Sequence, residues 1–232
     1  MKKHKAMLLT NSIFLLAVAV LNYFFQINQF SYTLKCICSC CFTVLGILNL
    51  VYALKNKTSS PKFYYVMAAG VVFAMLGDVF IFHNLFLGAG AFALGHICYV
   101  VAYFYLEKFT LTDLLASGVL FLIALFYLLF CPVLSFEDPV LLPICIIYAV
   151  IISAMTGKSF GLFIAKKTLF RGIVFLGSFL FFVSDLMLVL DLFAGLWAWP
   201  YHACMSLYYP SVCLLALSML LKTIQDDTAK EQ

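Results

Sequence analysis

The chain has 232 residues, 66% of them hydrophobic and only 10% charged, with mean hydropathy +1.10 and a formal net charge of +4. A soluble domain carries roughly 25% charged residues, so the composition excludes a water-soluble globular fold and offers no surface for nucleic acid. Its apolar runs are about 20 residues long, the length a helix needs to cross a hydrocarbon core of ~30 Å. Backbone groups in lipid must pair internally. The expectation is an all-α polytopic membrane protein, one domain over 1–232, built as a bundle of about eight transmembrane helices.

Met1–Lys5 make a basic start, and the apolar run behind them is long enough to span and lacks a small-residue cleavage site. It reads as a first helix over 7–25, not as a removable signal peptide. The second span, 32–54, opens beside Lys35 and contains Cys36, Cys38, Cys40 and Cys41. No Cys/His set in the chain has structural-zinc spacing, so the cysteines read as small packing residues and no metal is expected.

The third span, 63–82, carries Gly70, Ala74 and Gly77 on one stripe, which lets a neighbouring helix approach beside Asp78. The fourth, 89–106, repeats Phe92, His96, Tyr99 and Tyr103 on one face at helical spacing. The fifth and sixth, 114–131 and 140–156, offer few polar residues; the sixth is the shortest, and the apolar stretch around 160–169 is expected to lie along the interface. The seventh, 172–191, holds Gly177, Ser184 and Asp185 and ends at Asp191. Trp197, Trp199 and Tyr201 suggest an outer aromatic belt. The eighth, 200–221, contains Tyr208 and Tyr209, and the polar tail 225–232 is expected to fray.

Orientation follows from the lysines and the arginine. With the N-terminus inside, 13 of the 14 basic residues fall on inner segments and only Lys35 on the outer side. Eight spans then place both termini in the cytoplasm, in a bacterial inner membrane or the endoplasmic reticulum.

A carboxylate within a span costs an apparent ~2.5–3.5 kcal/mol to insert and usually faces the bundle interior with a task. Asp78 and Asp185 are the two candidates, with a structural hydrogen bond between helices as the plain alternative. At 1.5 Å per residue, Asp78 lies roughly 6 Å, Asp185 roughly 9 Å and His96 roughly 10 Å below the outer ends of their helices. Tyr208 and Tyr209 reach a similar level, and Lys35 sits just inside the outer end of the second helix. One layer can therefore collect them all, although depth alone does not make the faces meet. Lys35 has two readings: contact with a substrate phosphate, or snorkelling to the interface.

These residues fall in a recognisable pattern. Gly77-Asp78-Val79-Phe80, then Gly88 or Gly90, Phe92, Gly95-His96 and Tyr99, resembles the first signature of the YhhN-like lysoplasmalogenase family. The run from Gly177 to Ser184-Asp185, followed by Asp191 and Phe193, resembles the second, and Lys35 and the Tyr208-Tyr209 pair match further positions. Cys36, Leu192 and Val212 depart from it. The resemblance implies a membrane hydrolase that cleaves the vinyl-ether bond of a lysoplasmalogen, releasing a fatty aldehyde and a glycerophospho-alcohol. Its partners would be a lysophospholipid substrate and the surrounding lipid, with no cofactor.

The residues suit that chemistry. Cleaving a vinyl ether starts with protonation of its β-carbon and passes through an oxocarbenium ion that water captures, so one protonated acid and one carboxylate are needed. Removal from water and an acidic neighbour both favour a protonated carboxyl, and paired carboxylates also flank the oxocarbenium-like state of glycosidases. Asp78 and Asp185 would divide the roles, with Lys35, His96, Tyr99, Ser184, Tyr208 and Tyr209 in support. An intramembrane aspartyl protease fits less well, since Met75 and Ser184 replace the glycine and tyrosine its motifs need. A zinc hydrolase lacks clustered histidines. A transporter or a non-catalytic lipid- or proton-binding protein would use the same buried acids as a relay.

Overall fold

The structure is a computed structural model that describes residues 2–28, 31–58, 60–195 and 199–230. After a single 3₁₀ turn at Lys2–His4, the chain forms α1 (Lys5–Ile27), α2 (Tyr32–Lys55), α3 (Pro61–Ile81), α4 (Leu85–Leu106), α5 (Leu111–Phe130), α6 (Leu141–Ala165), α7 (Leu169–Phe193) and α8 (Trp199–Lys230). Among the described residues all eight are long and apolar enough to cross a membrane, so the chain is a multi-pass membrane protein.

Local chemistry starts the helices where the polar connectors end. Pro61 occupies the first turn of α3, where its missing N–H costs nothing. Asn84 accepts from the Leu87 N–H at 3.0 Å to cap α4. Thr110 and Asp113 form a reciprocal capping box on α5, and Thr168 caps α7.

The last helix is the spine. α8 packs against α1, α2, α3 and α7, and the pairs α3–α4, α5–α6 and α7–α8 make tight antiparallel hairpins, while α5 leans outward on α6. Small residues permit the closest approaches. A Cβ on Gly70 would fall 2.6 Å from the Tyr99 ring, and one on Gly77 2.8 Å from the Phe92 ring, so the α3 stripe seats the aromatic face of α4. Gly161 lies so close to Asp113 that a Cβ there would overlap the carboxylate at 1.6 Å.

Polar groups inside the bundle are paired across helices. Asn11 and Asn49 exchange hydrogen bonds at 2.9 Å, and Asn49 also donates to the Ala216 carbonyl at 2.8 Å. At the lysine-rich end Lys158 is buried and bonds Asp113 and the Lys108 carbonyl at 2.7 and 2.8 Å. Arg171 bonds the Leu162 carbonyl and Glu107, and its guanidinium holds the Glu107 carboxyl below its ordinary range.

Three features differ from the sequence reading. α6 does not stop near 156 but runs to Ala165, and α7 begins at Leu169, so no apolar loop lies along the interface. Lys158 looks like the polar end of a span, yet Asp113 neutralises it and the helix passes straight through. The tail does not fray at 225: α8 continues to Lys230, because Asp226 pairs with Lys222 and Asp227 with Lys3 and Lys230. Of the expected aromatic belt, Trp199 is 53% exposed but Tyr201 turns inward to Lys35. Trp197 lies outside the described residues.

Candidate active site

Asp78 sits less than one turn from the outer end of α3 and is 1% exposed. The neighbouring α2 presents Lys35 and Ser39, which are four residues apart and so share a face. Lys35 Nζ lies 3.3 Å from Asp78 Oδ1, and Ser39 donates to Oδ2 at 2.5 Å. From α8, Tyr208 donates to the same Oδ2 at 2.8 Å. Lys35 is 3% exposed, with Nζ 3.4 Å from the Tyr201 hydroxyl and 5.1 Å from the Phe82 ring centre. It therefore does not snorkel; it is the counter-ion of Asp78, whose Oδ2 takes both hydroxyl hydrogen bonds while Oδ1 meets only the lysine charge.

Asp185, on α7, has different company. Tyr148 of α6 donates to its Oδ2 at 2.7 Å, and His96 Nε2 of α4 lies 3.3 Å from the same oxygen and 2.8 Å from the Tyr148 hydroxyl. His96 is fully buried, with Phe181 edge-on at 4.6 Å, and its Nδ1 meets no acceptor. His96 thus engages the Asp185–Tyr148 pair through Nε2 alone. Ser184 spends its hydroxyl on the Phe181 carbonyl at 2.8 Å and reaches Asp185 Oδ1 only at 3.5 Å.

Both carboxylates line one cavity of about 150 Å³, space for several waters at ~30 Å³ each. Lys35, Tyr201, Tyr208, Cys204 and Asp191 share its wall. Asp191 is thus a third acid on the cavity, half-buried, and not merely a helix end in water. Phe92, Ile81, Asp185, Leu188 and Leu192 also line a second, apolar chamber between α4, α5, α6 and α7. Among the described residues, no cluster of His, Cys, Asp and Glu is spaced to hold a metal ion.

The geometry now stands beside a comparison with known proteins: a model of the YhhN family matches residues 30–219. The chain belongs to the YhhN family. Comparison with curated proteins and with solved structures finds no match. The matched span includes all of α2 to α7 and the Tyr208-Tyr209 pair of α8, so the two-acid cavity is built wholly within the YhhN region.

Not every sequence candidate joins that cavity. Lys35, Asp78, His96, Asp185 and Tyr208 do meet around the two carboxyls. Tyr99 is fully buried against Gly70, and its hydroxyl has no partner. Tyr209 packs among Phe25 and Phe42, and its hydroxyl bonds neither acid. Two contributors escaped notice. Tyr148 is seven residues into α6, roughly 10 Å deep, which matches the depth of Asp185 and is the signal that would have found it. Ser39 shares the Lys35 face at i+4.

The contrast gives a first expectation. Tyr148→Phe removes a hydrogen bond to a carboxyl, worth ~1.5–3 kcal/mol, and turnover is expected to fall about tenfold or more. Tyr99→Phe removes an unpartnered hydroxyl and leaves turnover near wild type. Equal losses in both variants, measured on the purified protein, would remove Tyr148 from the site.

Proposed function

We propose that this YhhN protein hydrolyses the vinyl-ether bond of a lysoplasmalogen within the membrane, with Asp185 as the acid and Asp78 as the carboxylate. The observation that carries the reading is that two acids on one cavity have different partners: Asp78 faces a lysine ammonium and two hydroxyl donors, while Asp185 faces a tyrosine and a histidine. A lysine beside Asp78 matches its ionised form. Asp185 has no lysine or arginine in that place, and Tyr148 and His96 both engage Oδ2, so Oδ1, with only the distant Ser184 hydroxyl at 3.5 Å, is the oxygen to carry the transferable proton.

In this scheme Asp185 gives its proton to the β-carbon of the vinyl ether, and the α-carbon becomes an oxocarbenium ion. The Asp78 carboxylate opposes the developing positive charge and accepts a proton from the attacking water. The resulting hemiacetal then gives its hydroxyl proton to the Asp185 carboxylate while Asp78 protonates the departing glycerol oxygen, so the C–O bond breaks to aldehyde and alcohol and the cycle ends with Asp185 protonated and Asp78 ionised again. Oriented acid–base groups of this kind contribute typically 10²–10⁴-fold each. The lysine bias supports cytoplasmic termini and a site in the opposite leaflet.

The test is product identification. The purified protein is given vinyl-ether, alkyl-ether and ester lysolipids, and the expected result is fatty aldehyde from the vinyl ether alone. Fatty acid from the ester in place of aldehyde, or no product from any, would overturn the vinyl-ether reading. Proton or lipid flux in proteoliposomes without aldehyde would favour the transporter instead.

A further inference from the structure

The apolar chamber behind Asp185 has no role in the scheme above, which concerns only the polar cavity. It is a slot between α4, α5, α6 and α7. Along α6 its wall runs from Leu141 through Cys145, Tyr148 and Ala149 to Ile152, twelve residues or roughly 16 Å of helix axis. Ala124 and Leu128 of α5 close the opposite side. Ala124 and Ala149 are buried, 1% and 6% exposed, and bring only methyl groups to the wall. Near the rim, Phe86 is 48% exposed and borders the bilayer. Among all these wall residues, only Asp185 and Tyr148 bring polar side chains.

We propose that this slot is the binding site for the hydrocarbon chain of a single-chain lipid, which holds the bond next to the chain against Asp185. The inference rests on the hydrolase reading for what happens at that bond, but the site itself does not. Its occupant follows from three facts on the wall. The lining is hydrocarbon along the whole length, so no head group fits. The slot meets the polar cavity at Asp185, so an amphiphile can lie across both with its polar end toward Lys35, Asp191 and Tyr201. And among the described residues this slot is a single apolar chamber joined to that cavity at Asp185, which places one chain and not a second.

Entering the slot gains little hydrophobic free energy, because a lipid tail is already in hydrocarbon. Its value is positional: an ether bond held near the acid replaces a random encounter, and orientation of reacting groups is worth several kcal/mol of barrier. Filling the slot with protein atoms therefore removes the position without touching the acids.

The experiment uses the full-length protein in nanodiscs with a single-chain phospholipid that bears a diazirine midway along an alkyl-ether chain, a non-hydrolysable probe. After irradiation, adducts are expected on α5 and α6 around Ala124, Cys145 and Ala149. Ala149→Phe and, from the opposite wall, Ala124→Leu are each expected to cut that labelling about tenfold while the thermal unfolding of at least one stays near wild type. Adducts confined to lipid-facing residues such as Leu9 and Leu16, or slot labelling unchanged in a folded variant, would overturn the proposal. So would equal slot labelling by a two-chain probe. Slot labelling without aldehyde release from a vinyl-ether lipid would sink the hydrolase and keep the site; aldehyde release without slot labelling would do the reverse.

Discussion

Asp185→Asn is expected to lower aldehyde release by about 10²–10⁴-fold, the range for loss of a positioned acid, while the protein stays folded. The amide has almost the shape of the carboxyl, and its oxygen can still accept from Tyr148 and His96, so the hydrogen bonds at 2.7 and 3.3 Å survive. What disappears is the transferable proton. The same exchange at Asp78 has a second consequence, because it leaves Lys35 without its anion. The pair of variants therefore separates chemistry from stability: Asp185→Asn is inactive with near-normal thermal unfolding, Asp78→Asn inactive and less stable. Near wild-type turnover in Asp185→Asn would end its assignment as the acid.

The second large effect is on folding. Lys35→Met is expected to destabilise the protein by ~3–5 kcal/mol, the cost of removing one partner from a buried ion pair. The variant leaves Asp78, 1% exposed, with only the Ser39 and Tyr208 hydroxyls. The double variant Lys35→Met/Asp78→Asn removes the stranded charge as well, and it should regain most of the loss, since a neutral side chain in that place is far cheaper to bury. Thermal unfolding in detergent across the wild type, both single variants and the double variant forms a double-mutant cycle whose coupling term isolates the pair. A coupling near zero would mean that Lys35 and Asp78 do not depend on each other.

How much of this was legible in the sequence depends on what a residue reveals by itself. Helices announce themselves through length and hydropathy, so all eight spans follow from the apolar runs. Asp78, Asp185 and His96 stand out because a polar group in such a run is expensive, and a fixed rise per residue converts position into depth. Depth is not azimuth, however. Tyr99 and Tyr209 lie at workable levels yet turn to Gly70 and to Phe25 and Phe42, and nothing local says so. Tyr148 and Ser39 stand out less, for the opposite reason: a tyrosine or serine in an apolar helix is ordinary, and its depth or spacing singles it out only once Asp185 or Lys35 is taken as the reference. The bounds of α6 failed on a long-range fact, that the charge at Lys158 is cancelled by Asp113, 45 positions earlier.

The asparagine ladder from α1 through α2 to α8 ties the start of the chain to its end. Asn22 hands its amide to the Met205 carbonyl, and Asn49 to that of Ala216. Without α8 packed in place, those amides of α1 and α2 lose their carbonyl partners in an apolar surround, so the eighth helix is bound to the first two by hydrogen bonds as well as by packing.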